Sequence, residues 1–183
     1  MAHPRKLIRH AVVALLTNAT AAGARVKDTR VEPHRKGALP AIAVYTLREP
    51  VNQDVSGGAP LELTRDVKVE IAGFVGVRDP DTVADELDDL AEQIEAAMDN
   101  DRYLGGLAAD SILESTEMQV REEDGASDPL IGIITLTYSV TYQTSPAVPD
   151  DLEDFLRVGA EHRIVGAVAA NAANDAFTVQ ETP

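Results

Sequence analysis

The pattern of apolar positions near the start of the chain predicts an amphipathic helix. Apolar side chains recur at steps of three and four, which places them on one face of a helix. These residues are Ile8, Ala11, Val12, Leu15 and Ala19. Pro4 suits the first turn of such a helix, and Gly23 suits the position that ends it. We therefore predict a helix between Pro4 and Gly23.

The same stretch has a basic start and a small-residue end, so it also allows an interpretation as a secretion leader. Its continuous apolar run, AVVALL, is six residues long before Thr17 interrupts it. A leader needs an apolar run of roughly 7–15 residues, so the pattern favours the first helix of a folded domain. The alternative is an exported binding module, and intact-mass analysis would then show residues 1–22 missing.

Alternation of apolar and polar residues predicts strands in the rest of the chain. The clearest alternation runs from Val67 to Val77. The segment 49–63 is rich in turn formers and predicts a loop. The last strand is apolar on both faces, which predicts an interior position in the sheet. The predicted strands are residues 25–32, 39–47, 64–77, 112–121 and 130–142.

A second helix is predicted between Asp79 and Asn100. Asp79 is a suitable N-cap, and Pro80 suits the first helical position. The apolar stripe of this helix consists of Val83, Leu87, Leu90, Ile94, Ala97 and Met98. Residues 102–110 (RYLGGLAAD) predict a turn before the next strand.

This order of elements predicts the fold class. Helix, three strands, helix and two strands indicate an α+β domain over residues 1–145. We expect a mainly antiparallel, four- to five-stranded sheet with two main helices packed on one face. From Ser145 the sequence becomes linker-like and loses its periodicity, so residues 146–183 predict a C-terminal extension or arm.

Composition excludes several kinds of chemistry. The 183 residues contain no cysteine, which excludes disulfides, thiolate zinc sites and cysteine nucleophiles. No run of 18 apolar residues is present, so no membrane-spanning helix is expected. The net charge of −15 is uneven, because residues 1–50 carry nine basic and three acidic residues. Such asymmetry is compatible with subunits that associate head to tail, and also with scattered surface charge.

The acidic stretch from Asp79 to Asp101 holds ten acids and no base. Paired carboxylates could bind Mg²⁺, as in a small metal-dependent hydrolase, and calorimetry would detect tight binding. Helical spacing, however, puts four of these acids opposite the apolar stripe, on a solvated or interacting face. They are Asp85, Asp88, Asp89 and Glu92. The four histidines lack zinc-hydrolase spacing, and no phosphate loop or serine elbow is present.

Several motifs, in order, resemble those of the tail terminator proteins of long-tailed phages and prophages. The resemblance covers about residues 5–144 and depends on the order and spacing of elements. The matching segments are T-A-A-G at 20–23, R-V at 25–26, L-P-A-I-A-V-Y at 39–45, V-K-V-E-I at 67–71, ELDDLAEQIEAAM at 86–98, YLGGLA at 103–108, LESTEMQV at 113–120 and ITLTYSVTYQT at 134–144.

The resemblance implies a virion structural protein without cofactor or catalysis. It implies a homo-hexameric ring that caps the tail tube, stops tube polymerisation and provides the surface for head attachment. Its partners would be the major tail tube protein and the head–tail connector proteins, with no membrane. DNA would pass through the lumen without specific binding. The protein would occur in the host cytoplasm during assembly and then at the neck end of the virion tail. The nearest alternative is a head–tail joining or tail completion protein.

These expectations define three sets of candidate site residues. The basic residues Arg25, Arg30, Arg35 and Lys36 could contact the acidic helix of a neighbouring subunit in the ring. Alternatively, Asp85, Asp88, Asp89 and Glu92 could line the lumen, where negative charge repels DNA. Contact with the tube is expected from loop 49–63 and from the tip, residues 102–107, with Arg102, Tyr103, Leu104, Gly105 and Gly106 as candidates.

Overall fold

Two helices and six strands form the described part of the chain. The structure, a computed structural model, describes residues 2–28, 39–53, 63–77, 79–121 and 130–145, which all belong to the unit Met1–Pro146. The predicted arm, residues 146–183, lies outside the described residues. The elements are α1 (Pro4–Leu16), β1 (Val26–Asp28), β2 (Ala41–Thr46), β3 (Val51–Gln53), β4 (Leu63–Val77), α2 (Val83–Asn100), β5 (Asp110–Arg121) and β6 (Leu130–Thr144), with 3₁₀ turns at Pro80–Thr82 and Leu104–Gly106.

The strands form one mixed sheet in the order β1-β2-β4-β6-β5. β1 pairs with β2 in parallel, and the other four pairings are antiparallel. β2 and β3 pair with successive parts of the same edge of β4 and are separated by residues 47–50. The six strands therefore form a sheet that is five strands wide. The α+β fold is thus confirmed, with a mixed sheet. Because β3 occupies part of segment 49–63, the prediction of a loop there is wrong at Val51–Gln53.

Both helices pack on the same face of the sheet, as predicted. Ile8, Val12 and Leu16 of α1 share one buried core with Ile42 and Val44 of β2. The predicted apolar stripe of α2 is buried over β4 and β6, except that Ala97 is only partly buried.

α2 approaches the sheet closely at two glycines. A Cβ at Gly73 would lie 2.8 Å from Cδ2 of Leu90. A Cβ at Gly132 would lie 2.8 Å from Cγ2 of Val83 and 3.1 Å from Cδ1 of Leu87. The missing side chains therefore make the space that the helix occupies.

The first helix is shorter than predicted. α1 ends at Leu16, because Thr17 leaves the helical region and Asn18 adopts a left-handed φ of 61°. Gly23, the predicted stop, has a left-handed φ of 57° in the turns that follow. The N-cap before α2 is confirmed: the Asp79 carboxylate accepts a 3.1 Å hydrogen bond from the Asp81 amide. It caps a 3₁₀ turn, and α2 itself begins at Val83.

The remaining boundaries differ from the predictions by small amounts. β6 lies between β4 and β5, so its predicted interior position is confirmed. β5 begins two residues earlier than predicted, at Asp110. β1 is described only to Asp28, and residues 29–32 of the predicted strand lie outside the described residues. Within the described ranges, no helix is long and apolar enough to cross a membrane.

Candidate interaction surfaces

The outer face of α2 is strongly acidic. Its 18 residues contain seven acids and no base. The four predicted acids are all exposed, and none of the seven forms an ion pair within the described part of the chain. Several lie three or four residues apart, a spacing at which like charges repel by a few tenths of a kcal/mol. The acidic face therefore costs stability in the isolated subunit. The seven acids are Asp85, Glu86, Asp88, Asp89, Glu92, Glu95 and Asp99.

Replacing Glu92 with glutamine should stabilise the subunit by about 0.5–1 kcal/mol at low salt, because it removes repulsion from three acids at i−4, i−3 and i+3. Glutamine and glutamate have similar helix propensities. Glu86→Gln is the matched control, because Glu86 lies in the first turn, where the helix dipole favours a negative charge. Urea unfolding at low and high salt measures both variants. Equal effects of the two substitutions would contradict the repulsion argument.

Of the four basic residues that were predicted to form an interface, the structure describes only Arg25. Its side chain is exposed and donates hydrogen bonds to the carbonyls of Pro40 (2.6 Å) and Ala21 (3.2 Å). These bonds tie the turn after α1 to the start of β2. Arg25 forms no ion pair with α2 within the described part of the chain. Arg30, Arg35 and Lys36 lie outside the described residues, so a contact with a neighbouring subunit stays a prediction.

The tip is held in place by local hydrogen bonds. The Arg102 guanidinium binds the Asp110 carboxylate through two contacts of 3.1 Å each. Gly105 and Gly106 have positive φ values of 67° and 84° and are exposed, as is Tyr103. Leu104, by contrast, is buried in the core, so a contact made by its side chain does not fit this structure.

A recess lies between α1 and the tip. It has a volume of about 270 Å³ and is mostly apolar. Leu7, Ala11, Ala14 and Leu15 follow helical spacing and form a second apolar stripe on α1 beside the buried one. The predicted stripe mixed the two faces: Ile8 and Val12 are buried, whereas Ala11 and Leu15 are only partly buried and Ala19 lies beyond the end of α1. The recess is lined by Ala11, Ala14, Leu15, Asp101, Leu104 and Gly105. We call this surface the α1–tip recess.

An exposed apolar strip lies on the edge strand β5. Met118 and Val120 are 45% and 52% exposed. They pair with Ile134 and Gly132 of β6, so they lie on the sheet face that carries the helices. α2 rests over β4 and β6 and leaves this end of β5 uncovered. We call Met118 and Val120 the β5 strip.

A buried carboxylate joins α1 to the sheet. The side chain of Glu49 is only 7% exposed, and it accepts a short hydrogen bond from the Tyr142 hydroxyl. Arg5 and Arg65 lie 3.3 Å and 3.6 Å from Glu49 Oε2. Arg65 also donates a 2.9 Å bond to Thr144 Oγ1. We call these residues the Glu49 cluster. Sequence reasoning missed it, because its members are far apart in the chain and form no motif.

The Glu49 cluster shifts the titration of its tyrosine. Burial, followed by the hydrogen bond and the charge of Glu49, raises the pKa of Tyr142 to about 12. Arg65 and Arg5 lower it in part. The cluster is a stabilising link between elements, with both arginines compensating the buried charge.

The acids of α2 do not converge on a cation site in this structure. Within the described ranges, no group of three or more histidine, aspartate or glutamate side chains could hold a metal ion. Comparison with protein-family models and with curated proteins gave no match to this chain.

Proposed function

We propose that this chain is a tail terminator, a structural protein of a phage virion. Six copies form a ring on the end of the tail tube, stop its polymerisation and present a surface to the head connector. The ring assembles in the host cytoplasm and becomes the neck end of the tail. The proposal contains no cofactor and no catalytic step.

The observation that carries the proposal is the placement of the resembling segments in one folded unit. T-A-A-G lies in the turns after α1, and R-V leads into β1. V-K-V-E-I lies in β4, YLGGLA covers most of the tip, and the last two segments lie in β5 and β6. The resemblance ends at residue 144, where β6 also ends. The segments that carry the resemblance are therefore parts of one domain, as the proposal requires.

The described surfaces also suit a ring-forming subunit. A ring needs two different contact patches on each copy, because its interface is heterologous. The α1–tip recess and the β5 strip are two such apolar surfaces on different elements. The acidic face of α2 remains available for a neighbour or for the lumen.

Mass photometry with negative-stain imaging of the purified chain is the first test. Rings of six copies with an open centre are expected, either alone or on tubes of the cognate tail tube protein. On tubes, the chain should bind one end and stop growth. Tubes that keep growing with unoccupied ends would overturn the proposal. A head–tail joining protein would instead bind the head connector and leave tube growth unchanged.

Tyr103→Ala should weaken binding to the tube end roughly tenfold if the tip makes this contact, because truncating an anchoring tyrosine at an interface costs about 1–2 kcal/mol. Gln119→Ala, at an exposed position of β5 on the sheet face opposite the helices, is the control and should bind normally. End-binding is measured by sedimentation of tubes with labelled protein. Unchanged binding by Tyr103→Ala would remove the tip from the contact.

A further inference from the structure

We infer that the first turn of α1 is a pH-sensitive element, which is helical while His3 is neutral and frays in mild acid. The inference concerns the folded unit and does not depend on the proposed ring. It follows from the cap of the helix, from the charges around that cap, and from a second histidine in the middle of the helix.

The N-cap of α1 is a histidine. His3 has extended backbone before Pro4, and its Nδ1 accepts a 3.2 Å hydrogen bond from the amide of Arg5. Its carbonyl oxygen accepts hydrogen bonds from the amides of Lys6 (2.9 Å) and Leu7 (3.3 Å). The side chain therefore satisfies an amide that has no partner within the helix.

This cap depends on the charge of the imidazole ring. The usual N-cap residues are serine, threonine, aspartate and asparagine, whose oxygens accept a hydrogen bond throughout the neutral pH range. A histidine nitrogen accepts one only while it carries no proton, and both ring nitrogens are donors in the charged form. Histidine is the side chain that ordinarily changes charge between about pH 5 and pH 8. Because His3 is exposed to water, a proton can reach Nδ1 and abolish the bond to the Arg5 amide.

The charges of the first turn act in the same direction. This turn contains Arg5 and Lys6 and no acid. The N-terminus of a helix favours negative charge, so both cations are unfavourable there and the cap matters more than usual. A charged His3 adds a third cation to the same turn. Acid therefore removes a hydrogen bond and adds a repulsive charge in one step.

The sheet does not compensate a charge on His3. The acid that reaches the first turn is Glu49, whose Oε2 lies 3.3 Å from Arg5 and 3.6 Å from Arg65. Its Oε1 accepts the hydrogen bond of the Tyr142 hydroxyl. Between the residues that the structure describes, no ion pair joins His3 to a carboxylate. Glu49 thus holds the Arg5 side chain and leaves the cap to His3.

The middle of α1 responds to acid in the opposite sense. Nε2 of His10 lies 3.4 Å from Oδ2 of Asp28 in β1, so a charged ring gains an ion pair there. Arg9 lies 3.4 Å from the same oxygen and donates a 3.2 Å hydrogen bond to Thr46 of β2. Its like charge, and the exposure of His10 and Asp28, make the gain small. Acid therefore leaves this part of the helix attached to β1 and β2.

The fraying is confined to residues 4–7. Ile8 is fully buried in the core and fixes the helix at the next position. Leu7 is the first residue of the exposed apolar stripe that borders the α1–tip recess. A change of pH therefore alters one end of that stripe without unfolding α1.

NMR spectroscopy of the full chain between pH 8 and pH 5 tests the inference. The Cα secondary chemical shifts of residues 5–7 report the helical population of the first turn, and the amide shift of Arg5 reports its hydrogen bond. We expect the equilibrium between the helical and the frayed turn to move roughly fivefold towards the frayed state in acid, as is typical for the loss of an N-cap. Residues 9–15 should keep their helical shifts.

His3→Asp is the matched variant, because aspartate is a strong N-cap that stays ionised over this pH range. Its first turn should stay helical from pH 8 to pH 5, whereas His3→Ala should be frayed at both ends of the range. His10→Gln is the control. It removes the ion pair with Asp28 and should leave the pH response of residues 5–7 unchanged.

Three results would overturn the inference. The first is a wild-type first turn that keeps its helical shifts at pH 5. The second is equal fraying of wild type and His3→Asp in acid, because the response would then not come from the cap. The third is loss of the response in His10→Gln, which would assign it to the contact with β1.

Discussion

Replacing Gly132 with alanine should destabilise the folded unit by about 2–3 kcal/mol, because the new methyl group has no space under α2. It would lie 2.8 Å from Val83 Cγ2, 2.9 Å from Val75 Cγ2 and 3.1 Å from Leu87 Cδ1. Two of these neighbours are β-branched valines, which are stiff at χ1 and cannot rotate away at low cost. The helix has to move away from the sheet instead.

Gly76→Ala is the control, because it adds the same methyl group to a strand of the same sheet. Gly76 is exposed, and its closest neighbour is the end of the Leu39 side chain, which can rotate away. Thermal unfolding should show a loss of roughly 5–10 °C for Gly132→Ala and little change for Gly76→Ala. Similar midpoints for both variants would mean that α2 does not rest on Gly132.

Replacing Glu49 with alanine should cost about 2–3 kcal/mol in the free energy of unfolding. The substitution leaves the buried Tyr142 hydroxyl without its acceptor and removes the charge that compensates Arg5 and Arg65. We expect less than the loss for a fully buried pair, because Arg5 is half exposed and screened by water. Glu114→Ala is the control, since it breaks a more exposed ion pair with Lys68. It should cost less than about 1 kcal/mol in urea unfolding.

The Glu49 cluster also predicts a pH dependence. The pKa of Tyr142 is raised in the folded state from 10 to about 12. The resulting stability is therefore fully present below pH 10 and is lost as the pH rises towards 12. Glu49→Gln removes the carboxylate charge, so Tyr142 should ionise at lower pH and this loss of stability should become smaller. The ultraviolet absorbance of tyrosinate measures the ionisation, and an unchanged titration curve would show that Glu49 does not act on Tyr142.

The elements that follow a simple periodicity could be predicted from the sequence. Asp79 and Pro80, the predicted start signals, form the 3₁₀ turn that leads into α2, and the regular apolar stripe of α2 is buried, so local chemistry and burial agree there. β6 is apolar on both faces, and this pattern placed it inside the sheet. Each helix was also predicted to bury an apolar stripe, and the buried stripes of both helices belong to one core.

The predicted elements differ from the observed ones where contacts between distant residues, or the backbone conformation of a single residue, determine the structure. The sheet was predicted to be mainly antiparallel, and the parallel pairing of β1 with β2 was not foreseen, because the alternation of apolar residues does not show the direction in which two strands pair. α1 stops at Leu16 because Asn18 takes a left-handed conformation that the apolar spacing did not indicate. β3 is too short for its pattern to be recognised, and it exists because β4 extends beyond the end of β2.

The candidate site was predictable only in part. The acidic face of α2 was predicted correctly as an exposed face, because the helical spacing of the acids places them opposite the apolar stripe. The glycine-rich tip was predicted as a contact surface, but one of its residues, Leu104, is buried where α1 packs against the tip. The β5 strip was missed, because alternation alone does not tell which end of a strand a helix leaves uncovered.

The acidic face of α2 has a further consequence for the solution around the protein. Seven carboxylates without fixed cationic partners in the described structure attract a local cloud of mobile cations. A surface that docks beside α2 must displace or share these ions, so the entropy of the released ions contributes to the contact. The strength of such a contact would then respond to the valence of the dissolved cation, in the manner of a polyelectrolyte, as well as to the shapes of the two surfaces.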